Sequence, residues 1–213
     1  MSHLFPVFLN LEGKKCLVIG GGKVARRKVE DLFACGTSIT VVSPGAEDDI
    51  RCWANEGRIY LLEREAKKTD LAGMSLVFVA TDDMVVNQTV VNWCRETGIP
   101  VNAVDDPPNC DFFLPAVLRR DSLVLAISTE GKSPLLARRL RDRLGEVVNR
   151  AYGEYVEILG EKRDYIKATI PDIDKRRQLF ASLVTPEILA LVEVGDIEKV
   201  RERVEKCMSS WQE

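Results

Sequence analysis

Cys16-Leu17-Val18-Ile19 runs directly into Gly20-Gly21-Gly22, and a helix pattern begins at once, with Val24, Val29, Leu32 and Phe33 apolar among charged residues up to Ala34. Read together with Lys23-Val24-Ala25, the turn fits G-x-G-x-x-A between a strand and a helix. In that setting Gly20 allows the tight turn, Gly22 lets a pyrophosphate approach the backbone, and Ala25 lets the helix lie close to the strand. The N–H groups and partial positive charge at the helix start suit phosphate oxygens. The plainer alternative is a turn that is tight and nothing more.

The pattern that follows alternates. Ser38–Val42 is a β-branched run, Ala46–Asn55 reads as a short helix and Arg58–Leu62 as a third strand. Leu76–Ala80 is the next strand, Val85–Thr97 the next helix, and Ile99–Val104 closes the series. Strand and helix in alternation predict a parallel sheet with helices on both faces, a Rossmann-type α/β fold over residues 1–111. The pattern then changes. Phe112–Arg119 and Ser122–Ser128 are extended runs joined by Arg120-Asp121, as in a hairpin or a pair of edge strands. Ser133-Pro134 opens a helix to about Val148, with Ser at the N-cap and Pro first inside. This gives a small α+β segment over 112–149. Residues 150–213 show only helix patterns, with a second N-cap and Pro start at Thr185-Pro186 and a last helix from Asp196 to about Met208.

Composition narrows the chemistry. His3 is the one histidine, so neither a histidine metal cage nor a Ser-His-Asp triad is expected, and no metal site is assigned. The six cysteines show no C-x-x-C spacing, which points to reduced thiols in a cytoplasmic protein rather than to zinc or redox chemistry. No apolar run reaches the ~18 residues of a membrane span, and the first residues lack the pattern of a signal peptide. A net charge of −3 gives no whole-chain attraction to nucleic acid.

Ligands of open parallel sheets bind beyond the carboxyl ends of the strands. Those ends here are the glycine turn, Ser43, Thr81-Asp82-Asp83, and Asn102 to Asp106. Ser43 and Thr81 can hydrogen-bond a cofactor. Val41-Val42-Ser43-Pro44 lacks the carboxylate that would hold ribose hydroxyls and repel a 2′-phosphate, and no arginine follows until Arg51, so NAD over NADP is a preference. Asp82 and Asp83 precede a helix and suit caps as well as catalysis. Asn102, Asp105 and Asp106, ahead of Pro107-Pro108, suit a turn, or a carboxylate that takes a proton from substrate. No Tyr-x-x-x-Lys supports a short-chain dehydrogenase mechanism.

Val117–Arg143 carries seven basic and three acidic residues, a net +4 inside an acidic chain. Such a run is either a solvated helix face or the seat of a carboxylate-rich substrate. Gly131-Lys132-Ser133-Pro134 opens a helix whose backbone amides could hold an anion. Without aromatic residues for stacking, nucleic acid fits it less well.

Taken together the chain resembles the precorrin-2 dehydrogenases, the N-terminal module of siroheme synthases, over essentially its whole length. The matching residues are Pro6-Val7-Phe8-Leu9-Asn10-Leu11, Cys16 to Lys28, Val79-Ala80-Thr81-Asp82-Asp83 with Asn87, Val101-Asn102-Ala103-Val104-Asp105-Asp106, and Ala126-Ile127-Ser128-Thr129 followed by Gly131 to Arg138. The resemblance implies NAD-dependent oxidation of precorrin-2 to sirohydrochlorin, with Asp105 as the catalytic aspartate. Cofactor contacts are expected from Gly20, Gly21, Gly22, Lys23, Val24, Ala25, Ser43, Thr81 and Asn102. Substrate contacts are expected from Ser128, Thr129, Lys132, Ser133 and Arg138. It further implies a homodimer that exchanges the 112–149 dimerisation segment, and a helical C-terminal domain that helps form the substrate cleft. Some members also insert Fe²⁺; the methyltransferase domain of the fused synthases is not expected within 213 residues. A non-catalytic NAD-binding regulatory module is the alternative, and it gives no reason for the basic segment.

Overall fold

The computed structural model describes residues 3–211. They divide into two compact units, the first ending at Phe113 and the second beginning at Leu114.

In the first unit, β1 (Lys15–Ile19), β2 (Ser38–Val42), β3 (Tyr60–Leu62), β4 (Leu76–Val79) and β5 (Val101–Ala103) form one parallel sheet in the order β3-β2-β1-β4-β5. Helices α1 (Lys23–Phe33), α2 (Asp48–Asn55) and α3 (Met84–Thr97) supply three of the crossovers, and the β3–β4 connection carries only the 3-10 turn Lys68–Leu71. Strand alternation sorts the side chains. Cys16, Val18, Ile39, Val41, Leu76 and Phe78 meet Ala25, Val29 and Leu32 of α1 and Ile50 of α2 on one face. Leu17, Ile19, Val42, Val77 and Val79 meet Val90, Val91 and Cys94 of α3 on the other. Each buried Val, Leu or Ile contributes about 1.5–3 kcal/mol, so this two-sided core fixes the strand register. Because β2 and β4 flank β1 on opposite sides, the chain reverses direction at β1, which puts the crevice at the ends of β1 and β4.

The second unit begins with an antiparallel hairpin, β6 (Ala116–Arg120) and β7 (Leu123–Ile127), turning at Asp121 with φ +49°. Five helices follow: α4 (Pro134–Val147), α5 (Arg150–Thr169), α6 (Ile173–Ser182), α7 (Pro186–Glu193) and α8 (Ile197–Ser209). Tyr155, Ile158 and Ile166 of α5 pack with Leu179, Ile188, Val192, Val200 and Val204. Asn149 ties the start of α5 to the end of α7 by donating to the carbonyls of Val192 (3.2 Å) and Glu193 (2.9 Å).

The strands expected over Arg58–Leu62 and Ile99–Val104 are shorter, at Tyr60–Leu62 and Val101–Ala103, and two further boundaries shift for reasons that the packing shows. The run expected as a strand from Phe112 starts at Ala116, because Phe112 packs edge-on against Phe78, with ring centroids 5.4 Å apart. The helix expected from Ala46 starts at Asp48, because Gly45 and Ala46 pass tightly over Gly21. No helix among the described residues is long and apolar enough to cross a membrane.

Gly153 of α5 faces the hairpin turn. A Cβ there would stand 2.4 Å from Asp121 Oδ2 and 2.8 Å from the Arg120 carbonyl oxygen, whereas a Cβ at Gly160 meets nothing within 4 Å. Gly153→Ala is expected to destabilise by about 1–3 kcal/mol. Gly160→Ala should stabilise by up to ~1 kcal/mol. Chemical denaturation checks the pair, and equal midpoints would refute the packing described. A pH effect follows from Cys94, whose thiol is pushed from the ordinary 9.0 to about 11 by burial first and by the charge of Asp111 second. A raised folded-state value gives stability that is complete below the unfolded value and lost as pH climbs through the folded one. Stability should therefore fall between pH 9.0 and about 11, and Cys94→Ala should make that fall shallower in a pH series of denaturation curves.

Candidate functional site

Of the three glycines of the β1–α1 turn, two answer a close neighbour and the third does not. Gly20 has φ +116°, and a Cβ on it would sit 2.2 Å from the Ala80 carbonyl oxygen at the end of β4. Gly21 would place a Cβ 2.1 Å from the Gly45 carbonyl oxygen, and its own carbonyl accepts a bond from the Glu47 amide at 2.8 Å. Gly22 is the opposite case: a Cβ there meets nothing within 4 Å. The first two glycines let three backbone segments close up. The third leaves open space at the start of α1.

Helix α1 has no side-chain cap at Gly22 and no acidic residue in its first turn. The amides of that turn, starting at the exposed Lys23 and half-buried Val24, are therefore left to an incoming acceptor. Ala25 is fully buried against the sheet. Among the described residues, six of the eight helices are closed by a side-chain cap, and the two that are not, α1 and α2, are the two whose starts border one cavity. That cavity, of about 610 Å³, is lined by Gly21, Gly22, Gly45, Ala46, Glu47, Asp48, Asp49 and Arg51. Open backbone at Gly22, an uncapped helix start and a cavity beside both fit the phosphates of a dinucleotide.

The other strand ends divide their work. Ser43 is buried, and its hydroxyl donates to the Gly45 carbonyl at 2.7 Å, so it shapes the loop and can only accept from a ribose. Thr81 is clamped to Asn87: its hydroxyl donates to Asn87 Oδ1 (2.5 Å), and Asn87 Nδ2 donates to its carbonyl (2.9 Å). Asp83 caps α3, accepting from the amides of Val85 and Val86. Asn102 spends its amide on the Phe112 carbonyl (2.9 Å) and Cys110 Sγ (3.5 Å), which leaves its side-chain carbonyl oxygen for a ligand.

The two aspartates after β5 separate cleanly. Asp106 accepts from Asn109 Nδ2 at 2.7 Å and holds the short 3-10 turn at Pro107–Asn109. Asp105 is exposed, takes no hydrogen bond or ion pair, and stands in left-handed backbone at φ +60°. Aspartate tolerates that region better than most residues, yet a single such residue at a strand end is a frequent mark of function. Asp82 is the other unbonded strand-end carboxylate, in ordinary backbone. Lys28 of α1 is near enough to Asp105 to feel its charge; burial is the main effect on this ammonium and pushes it down, while Asp31 and Asp105 oppose that.

In the second unit, Glu130 (φ +52°) and Gly131 (φ +78°) turn the chain into α4. Ser128 Oγ accepts from the Glu130 amide, Thr129 Oγ1 from the Ser133 amide, and Ser133 Oγ from the Leu136 amide. Each hydroxyl thus uses its oxygen locally and keeps its proton to donate. Lys132 pairs only at 3.5 Å with Glu130. Arg138 is exposed and forms no bond. The net charge of the segment overstates what is available: Arg120 donates to the carbonyls of Val148, Gly145 and Arg119, and Arg141 pairs with Asp142. No group of three or more His, Cys, Asp or Glu side chains stands together as metal ligands among the described residues.

The fold and the glycine turn define a dinucleotide-binding α/β protein. Comparison with known proteins makes this particular. Residues 7–116 match the family described as putative NAD(P)-binding, 120–146 the central region of sirohaem biosynthesis proteins, and 151–208 the sirohaem synthase dimerisation region. The chain belongs to the putative NAD(P)-binding family, in the arrangement that continues into the sirohaem central and dimerisation regions. It is similar to the siroheme synthase of Psychrobacter sp. (strain PRwf-1), 36% identical over 91% of this chain and 40% of that protein. It is also similar to the siroheme synthase of Thioalkalivibrio sulfidiphilus, 37% identical over 97% of this chain and 42% of that protein. The chain thus spans about two fifths of the length of these curated relatives. The solved structure of SirC, precorrin-2 dehydrogenase, superposes with a TM-score of 0.78 at 28% identity, covering 97% of this chain and all of that one.

Gly22→Ala isolates the phosphate role, since the methyl group has room in the fold yet enters the space beside the first turn of α1. It should weaken NAD binding at least ~10-fold by calorimetric titration, while the unfolding free energy stays within about 1 kcal/mol. Unchanged affinity would show that phosphates do not approach there.

Proposed function

We propose that this chain is an NAD-dependent precorrin-2 dehydrogenase, converting precorrin-2 to sirohydrochlorin in siroheme biosynthesis. The observation that carries the reading is Asp105, an unbonded carboxylate in left-handed backbone two strands away from the glycine turn on the same edge of the sheet. Strands lie about 4.8 Å apart, so the offset is ~10 Å, a span that a dinucleotide anchored at α1 covers with its far end.

In this reading Gly20 and Gly21 hold the turn closed, and Gly22, Lys23, Val24 and Ala25 present the backbone to the pyrophosphate. Ser43 accepts from a ribose, and Thr81 and Asn102 border the path toward Asp105. The bound nicotinamide supplies the hydride acceptor. Asp105 takes the proton that the macrocycle releases as the hydride leaves, so two electrons and one proton go to the cofactor and one proton to the carboxylate. The extended conjugation of the product supplies much of the driving force, and the residues have chiefly to position and to accept. The three donor hydroxyls of Ser128, Thr129 and Ser133, with Lys132 and Arg138 and the amides at the start of α4, hold the substrate's carboxylates.

The same proposal includes a homodimer in the cytoplasm, organised as an NAD domain (1–111), a dimerisation segment (112–149) and a helical domain (150–213). Its support is the row Leu135, Leu136, Leu140 and Leu144, apolar and exposed on α4 within the matched central region, with exposed Val147 just after it, and six cysteines with no disulfide among them.

Asp105→Asn tests the reading. With precorrin-2 and NAD⁺, kcat should fall by at least ~10²-fold while NAD⁺ affinity changes little. Oxidation at full rate in that variant would remove Asp105 from the mechanism. NAD⁺ binding by the unaltered chain without any oxidation would favour a regulatory module instead.

A further inference from the structure

The two uncapped helix starts at the cavity carry opposite charge patterns. The first turn of α1 has no acidic residue. The first turn of α2 carries Asp48 and Asp49, directly after Glu47 at its N-cap. All three acids line the cavity, and the one basic residue lining it with them is Arg51. Arg51 is already engaged: its guanidinium donates twice to Glu63 Oε1, at 2.8 and 3.0 Å, and stands 3.9 Å from Asp48. Arg26, which reaches across from α1, is held by Glu30 at 2.8 Å and Asp49 at 3.1 Å. The rim that follows β2 therefore presents three carboxylates, Glu47 without an ion pair, Asp48 facing Arg51 and Asp49 facing Arg26, and no unengaged cation.

We propose that Glu47, Asp48 and Asp49 set the cofactor specificity of this site, rejecting the 2′-phosphate of NADP, and so replace the missing strand-end carboxylate after Val42. The inference rests on the dinucleotide reading of the cavity and adds to it which residues discriminate. Helix starts attract phosphate through their partial positive charge. At α1 that charge is left for the pyrophosphate, which both cofactors carry. At α2 the acids in the first turn offset it, so a 2′-phosphate placed there meets the negative charge of Glu47, Asp48 and Asp49 around the open amides of that turn. The acids also stabilise α2 in the ordinary way, and the two roles do not compete.

Calorimetric titration of the full chain with NAD⁺ and with NADP⁺ tests this. The unaltered protein should bind NAD⁺ at least ~10-fold more tightly, and the preference should shrink as salt is raised. The double substitution Asp48→Asn with Asp49→Asn should lower the ratio of the NADP⁺ to the NAD⁺ dissociation constant by about 10-fold. Arg26→Gln, which unmasks Asp49, should raise that ratio, so the two variants move it in opposite directions even if either one softens α2. A ratio that stays put in both variants, or no preference in the unaltered protein, overturns the proposal while leaving the dinucleotide site standing. Failure of both nucleotides to bind would overturn the site itself.

Discussion

Backbone crowding at the end of β1 is the constraint on which the rest of the first unit depends. Three segments converge there: the glycine turn, the end of β4 at Ala80, and the loop after β2 at Gly45. The separations that a Cβ would need, 2.2 Å from Ala80 and 2.1 Å from Gly45, are not available to any side chain. Glycine at 20 and 21 lets the turn sink between the neighbouring strand ends, and the start of α1 then projects at the point where the strand order reverses. The buried faces above and below keep the register that brings these segments together. At Gly22, by contrast, a Cβ would meet nothing within 4 Å, so space stays open beside that helix start.

Electrostatics follows from the same arrangement. Closing the turn presents the starts of α1 and α2 side by side at one cavity, and the sequence treats them differently. One is left bare and the other is flanked by acids. Farther along the sheet edge, Asp106 and Asp83 are spent on turns and caps, and Asp105 is not. The second unit repeats the device: Ser128, Thr129 and Ser133 satisfy backbone amides through their oxygens and keep donor protons for an anion. In both units the residues that build the local structure also leave selected groups unpaired, and those groups are of the sign that phosphates, a leaving proton and carboxylates require.

Much of this was legible from residue order. The strand–glycine–helix run identified β1, the turn and α1, and the roles expected of Gly20 and Ala25 match their positive φ and full burial. The cap positions at Ser133 and Thr185 were legible too, since capping is local. What escaped depends on residues distant in sequence. Gly21 is required by Gly45, a contact that no spacing rule announces. Phe112 reads as strand until Phe78 claims it. The basic count over Val117–Arg143 included Arg120, which serves backbone carbonyls at the end of α4. Spacing could not choose between Asp105 and Asp106, because the difference lies in one backbone dihedral and one hydrogen bond from Asn109. The acids at 47–49 look in sequence like an ordinary helix start, and only the cavity gives them a second role.

The most direct test of the central account is a single-turnover experiment with the unaltered chain, precorrin-2 and NAD⁺, following reduced cofactor and sirohydrochlorin together. Both should appear at the same rate and in equal amounts. Sirohydrochlorin formed without reduced cofactor, or NAD⁺ bound with neither product appearing, would contradict it.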